Sequence, residues 1–224
     1  MTAIERVIRI LLGGALLAAP LAHASDDLID LRDAPPVRGD AVAGKAKAAV
    51  CSACHGPLGV AVVPTFPNLA GQKADYLYWR LVTFKRAGDA DSPMTAQVAH
   101  LDDAAMRDLA AWFASLEPAA GTNGAAGMPG ATIYRDGDPA RGVPPCQGCH
   151  GLDARARVGA DDAARARLYP VLRGQHAAYL ADRLEDLATH PPHTSTAHVM
   201  APIARTLDAA SIEAITHWLE AGAP

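Results

Sequence analysis

A chain of 224 residues with a formal net charge of −4 and 50% hydrophobic side chains can build two modest cores, and its slight acidity excludes nucleic acid as a natural partner. Only 5% of the residues are aromatic, lean for two units of about a hundred residues each, a size at which burial is marginal. All four cysteines fall in two short stretches, so a disulfide framework exists only if those stretches do nothing else.

Residues 1–24 read as a signal peptide. Arg6 and Arg9 precede an apolar run from Ile10 to Leu21, and Ala22-His23-Ala24 offers a small-residue cleavage site. The run is short for a membrane span, with an uncleaved anchor as the alternative. The compartment reached is oxidising.

From Ser25 to Asp40 the chain is polar and contains Pro35-Pro36, which predicts an arm with little regular structure. Asp40 is placed to cap a helix that runs to Val50, and Gly44 inside it is costly unless another backbone approaches closely. Cys51-Ser52-Ala53-Cys54-His55 follows, then an apolar loop ending in Phe66-Pro67-Asn68-Leu69-Ala70-Gly71-Gln72. Leu77, Leu81 and Phe84 predict the apolar face of a helix. Next comes a loop holding Met94, with His100 after it. Seven residues beyond the methionine, Leu101 leads into Asp102, the cap of a last helix bearing Met106, Leu109, Trp112, Phe113 and Leu116.

The same order then returns. Glu117 to Gly137 is rich in Gly, Ala and Pro and reads as a connector, with Met128 exposed in it. Cys146-Gln147-Gly148-Cys149-His150 is the second pentapeptide, and Tyr169-Pro170-Val171-Leu172-Arg173-Gly174-Gln175 is the second loop end. Leu180, Leu184 and Leu187 repeat the apolar helix face, and Tyr179 and Arg183 match Tyr76 and Arg80. Met200 lies in a longer Pro- and His-containing loop, before Leu207, Asp208 and a helix with Ile212, Ile215, Trp218 and Leu219. An Arg-rich insertion, Asp153 to Arg167, has no counterpart. The chain is thus all-α, with two tandem small helical domains at 25–121 and 122–224 and a linker over 122–137.

Two cysteines three positions apart can each form a thioether to one haem vinyl group, and the histidine that follows then faces the iron, the pattern of c-type haem attachment. A thiol-disulfide pair or half a zinc site must explain that histidine twice. Two covalently attached haem c groups would also supply the missing large apolar bodies. His55 and His150 are then iron ligands, and Met94 and Met200 are the candidates for the opposite faces. A thioether favours ferrous iron, so both potentials should be relatively high. Met106 reads as core filling. His190, His193 and His198 around Met200, and His100 near Met94, read as solvated but compete for the iron, while His176 and His217 sit on predicted helices. The carbonyls of Pro67 and Pro170 are candidates to accept the second N–H of each imidazole. Arg80 and Arg183 are candidates for haem propionates.

The pattern C-x-x-C-H, then F/Y-P-x-L-x-G-Q-x-x-x-Y-L, then methionine, L-D and a Trp-bearing helix, all twice, resembles the bacterial dihaem cytochromes c of the cytochrome c4 kind over nearly the whole mature chain. The resemblance implies two class I cytochrome folds facing each other across a pseudo-twofold axis, with ligands His55 and Met94 in one and His150 and Met200 in the other. It further implies a periplasmic carrier, not an enzyme, that takes electrons from a quinol-oxidising complex and gives them to a terminal oxidase or another reductase. Peripheral membrane association is compatible with that role. The histidines around Met200 keep a haem enzyme open, such as a peroxidase or sulfur-compound oxidoreductase. A haem subunit of a dehydrogenase complex is a further alternative.

Overall fold

The computed structural model describes residues 28–87, 92–121, 127–156, 163–190 and 192–222. The stretch read as a signal peptide, the middle of the connector and the middle of the Arg-rich insertion lie outside the described residues. Two units of matching order emerge. The first holds α1 (Ala41–Lys47), α2 (Ser52–His55), α3 (Ala74–Ala87), α4 (Pro93–Val98) and α5 (Asp103–Ser115). The second holds α6 (Gly130–Asp136), α7 (Gln147–His150), α8 (Ala163–Ala166) in the insertion, α9 (Ala177–Thr189), α10 (Ser195–Arg205) and α11 (Ala209–Glu220). No sheet forms among the described residues, only isolated bridges between Ile29 and Thr194 and between Asp138 and Val143. Nor is any described helix long and apolar enough to cross a membrane.

The helix starts follow from side chains that satisfy orphan backbone donors. Asp40 accepts from the N–H groups of Val42 and Ala43, Asp102 from that of Ala105, and Asp208 from that of Ser211. Each such cap contributes about 1 kcal/mol. Within each unit the first helix crosses the last, α1 on α5 and α6 on α11. One core gathers Leu77, Tyr78, Met106, Leu109 and Phe113, and the other gathers Tyr134, Leu180, Ile215, Trp218 and Leu219.

Three expectations need correction. The stretch read as linker, 122–137, contains α6, the counterpart of α1; its one glycine suits the helix because Gly130 lies against the backbone of α11, where a side chain has no room. Met128 is half-buried against the second core, not exposed. Met94 and Met200 lie on helices and not in loops. Pro93 opens α4, where a fixed φ and a missing N–H cost nothing, and Thr194 caps α10, which tolerates Pro202 near its end. The arm has, as expected, little regular structure beyond one isolated bridge, but it is tied down. Ile29 and Leu31 are buried with Leu168. The Ile29 amide donates to the His193 carbonyl at 2.9 Å, and the Ser195 amide donates to the Ile29 carbonyl at 3.0 Å.

The insertion helps to join the units. Lys73, just before α3, donates to the carbonyl of Ala156 at 2.6 Å, while Arg167 pairs with Asp75 and bonds the carbonyl of Ala34. Deeper in the interface each unit gives the other the same contact. The Gln72 carboxamide donates to the Val171 carbonyl at 2.9 Å and accepts from the Val171 amide at 2.8 Å. Gln175 does the same to Asn68, at 2.9 and 2.8 Å.

Candidate haem sites

Each pentapeptide forms a single helical turn, α2 or α7, whose last residue is the histidine, and a glycine at φ +77° ends both. The positive-φ, extended conformation of Gly56 brings its Cα so close to Val60 that a Cβ would lie 2.0 Å from the Val60 carbonyl oxygen. A glycine there is therefore obligatory. His55 and His150 are both buried.

The imidazoles are oriented alike. Nδ1 of His55 lies 3.0 Å from the Pro67 carbonyl oxygen, and Nδ1 of His150 lies 3.2 Å from that of Pro170. A carbonyl only accepts, so Nδ1 carries the proton and Nε2 keeps its lone pair. Phe66 meets the His55 ring edge-on at 6.2 Å between centroids, and Tyr169 meets that of His150 at 6.3 Å. Burial lowers both histidine pKa values, against the opposing effect of the prolyl carbonyls. The rings are thus neutral, the form in which imidazole binds metal.

The cysteines separate the haem reading from its rivals. Burial raises the thiol of Cys51 and pushes that of Cys146 to about 11. A catalytic C-x-x-C pair needs the opposite shift, towards a stable thiolate. All four thiols are free, with Cys54 and Cys149 exposed. Among the described residues no three His, Cys, Asp or Glu side chains converge as a metal site, so a zinc centre lacks its remaining ligands.

A haem fits this arrangement. Leu81, Phe84, Leu184 and Leu187, on the inward faces of α3 and α9, are only half-covered by protein. Between the units runs a groove lined by Arg80, Phe84, Arg183, Leu187, His190 and His193. The Arg80 guanidinium stacks 4.5 Å from the Phe84 ring centroid, and Arg183 pairs with Asp186. Burial lowers the Arg183 pKa and the charge of Arg80 lowers it further, while Tyr179, hydrogen-bonded to Tyr76, is pushed up by burial. Two crowded cations beside two phenols suit the carboxylates of propionate side chains.

Met94 is the second residue of α4 and Met200 the sixth of α10; both are half-buried. Met106 is in the core. His100, His190, His193, His198 and His217 are exposed. His176 is the N-cap of α9 and bridges the units, with Nε2 3.0 Å from the Ala61 carbonyl and Nδ1 3.2 Å from Glu220. The roles of Gln72 and Gln175 across the interface are missed by reading each half alone; their shared position in the repeat is the signal that could have pointed to them.

Comparison with known proteins agrees with this chemistry. A family model described as Cytochrome c matches residues 41–117. Over 196 residues the chain is 37% identical to the cytochrome c4 of Azotobacter vinelandii, covering 81% of this chain and 89% of that protein. The crystal structure of reduced recombinant cytochrome c4 from Pseudomonas stutzeri superposes with a TM-score of 0.70 at 35% identity, covering 82% of this chain and 99% of that one. A thiosulfate dehydrogenase electron acceptor from Thiomonas intermedia is 29% identical over 223 residues, covering 97% of this chain and 91% of that protein.

Proposed function

This chain belongs to the cytochrome c4 family, carries two covalently attached c-type haems and works as an electron carrier, and from that premise we propose that His55 with Met94 and His150 with Met200 are its two axial pairs. The haems supply one-electron exchange between ferric and ferrous iron. The chain's own residues do the rest. Cys51, Cys54, Cys146 and Cys149 tether the rings, and the carbonyls of Pro67 and Pro170 hold each imidazole in one tautomer. The half-covered leucines and Phe84 would keep water from the bound ring faces, and Arg80 and Arg183 would neutralise the propionates.

The observation that carries this reading is the doubled imidazole geometry, a buried neutral ring in each half with Nδ1 on a prolyl carbonyl. With a histidine and a methionine holding each iron, no open position would remain for substrate, and outer-sphere transfer would be the chemistry. The ferric spectra of Met94→Ala and Met200→Ala test it: each should lose the weak far-red sulfur-to-iron band from half of the haems. An unchanged band in either variant sinks that ligand.

The domains are read as 25–121 and 122–224, exported by the signal peptide to the periplasm. There the protein would take electrons from a quinol-oxidising complex and pass them to a terminal oxidase or reductase. A second donor is supported by the match over 97% of the chain to a thiosulfate dehydrogenase electron acceptor. Mixing the oxidised protein with a thiosulfate dehydrogenase and thiosulfate, or with a quinol-oxidising complex and quinol, separates the two donors by the rate at which the haems reduce.

A further inference from the structure

We propose that Gln72 and Gln175 are crossed positioning residues, each setting the donor strength of the iron-ligating histidine in the opposite half. This rests on the reading of His55 and His150 as ligands. One peptide group in each unit makes the link. The carbonyl of Pro67 accepts from His55, and the N–H at the other end of that same peptide belongs to Asn68 and donates to Gln175 Oε1 at 2.8 Å. The peptide joining Pro170 to Val171 accepts from His150 in the same way and donates to Gln72 Oε1 at 2.8 Å.

The carbonyl and N–H of a peptide are conjugated, so an acceptor on the N–H draws the amide into a more polarised form and makes its oxygen a better acceptor. A better acceptor on Nδ1–H makes the imidazole more basic towards its metal. The more electron-rich imidazole favours ferric over ferrous iron. The second bond of each glutamine, from its amide to the Val171 or Asn68 carbonyl at 2.9 Å, fixes the angle at which this happens. Both glutamines are buried, at 5% and 6% exposure, so water does not replace them at will.

The two halves differ in how much else holds the peptide. Asn68 also donates from Nδ2 to the Gly174 carbonyl at 2.9 Å and accepts at Oδ1 from the Ala61 amide at 2.9 Å. Val171 has no side-chain bond to offer. The His150 site therefore depends more heavily on Gln72 than the His55 site does on Gln175.

The test is potentiometric titration of the holoprotein, with each midpoint assigned from the single-ligand variants Met94→Ala and Met200→Ala. Gln72→Leu should raise the potential of the His150 haem and leave the other in place. Gln175→Leu should raise that of the His55 haem, by less. In the ferrous protein labelled with nitrogen-15 histidine, the Nδ1 resonance of the opposite half should move and that of the same half should not. A purely structural contact would shift both haems alike, or neither; either result overturns the proposal, as does a shift confined to the glutamine's own half. If a leucine variant fails to mature, Gln72→Met and Gln175→Met keep the side-chain length without the acceptor and carry the same expectations. Absence of the far-red band from the wild-type protein would instead count against methionine ligation, independently of this result.

Discussion

Gly44 and Gly130 hold the same station in the two units, each where its helix touches the unit's last one. A Cβ on Gly44 would lie 2.0 Å from the Asp108 carbonyl oxygen, and one on Gly130 would lie 2.0 Å from that of Ala214. Both neighbours are helical backbone, which cannot turn aside as a side chain would. Gly44→Ala and Gly130→Ala should each destabilise their own unit by roughly 1–3 kcal/mol or more, outweighing the gain in helix propensity. Thermal unfolding of the holoprotein, followed separately in the two Soret contributions, should show an earlier transition in the altered half only.

Leu31, 2% exposed, locks the arm against Leu168 and the side chains of α3. Leu31→Ala should cost about 2–5 kcal/mol of local stability. The amides of Ile29 and Ser195, which bond across the arm, should then exchange with solvent faster than those of α5. Equal protection in variant and wild type would show that the arm is held by its backbone bonds alone.

Asp108 joins the first helix to the last through the Asp40 amide at 2.8 Å and Lys47 at 3.0 Å. These partners, the amide foremost, hold its carboxyl below the ordinary value of 3.8. A folded pKa below the unfolded one adds stability that is complete above the unfolded value and is lost as pH falls through the folded value. Between about pH 5 and pH 2 the first half of the wild type should therefore lose thermal stability faster than that of Asp108→Asn, which cannot take up the proton. Parallel pH profiles would remove Asp108 from the acid response.

Methionine identity gives a fourth expectation. Met94→His should lower one of the two midpoint potentials, since imidazole favours ferric iron more than a thioether does. Met106→Leu should leave both potentials alone, because Met106 fills the core at 5% exposure and leucine conserves its volume. Spectroelectrochemical titration of the two variants separates the roles.

Much of the fold can be read in the sequence because its signals are local and doubled. Asp40, Asp102 and Asp208 mark helix starts by their own chemistry, and the repeated pentapeptide fixes where two haems attach. The errors arise where tertiary contact overrides local composition. Gly130 weakens the signal of α6 until one sees the helix it must touch. Pro202 and the surrounding histidines disguise α10 as a loop, although Thr194 supplies its cap. Ile29 and Leu31 carry no periodic pattern, and the residues that bury them lie far along the chain. Gln72 and Gln175 look like loop punctuation because the peptide each one grips belongs to the other half.

The arm has a bearing on how the molecule is made. Its bonding partners, His193 and Ser195, follow it far along the chain and so leave the ribosome well after the arm does. Until Leu168 is made, Ile29 and Leu31 have only part of their seat, the side chains of Trp79 and Val82, so the arm closes fully only after the second unit has arrived. A fragment ending at 121 would keep its haem attachment site yet leave Ile29 and Leu31 without Leu168 and without the backbone bonds to His193 and Ser195.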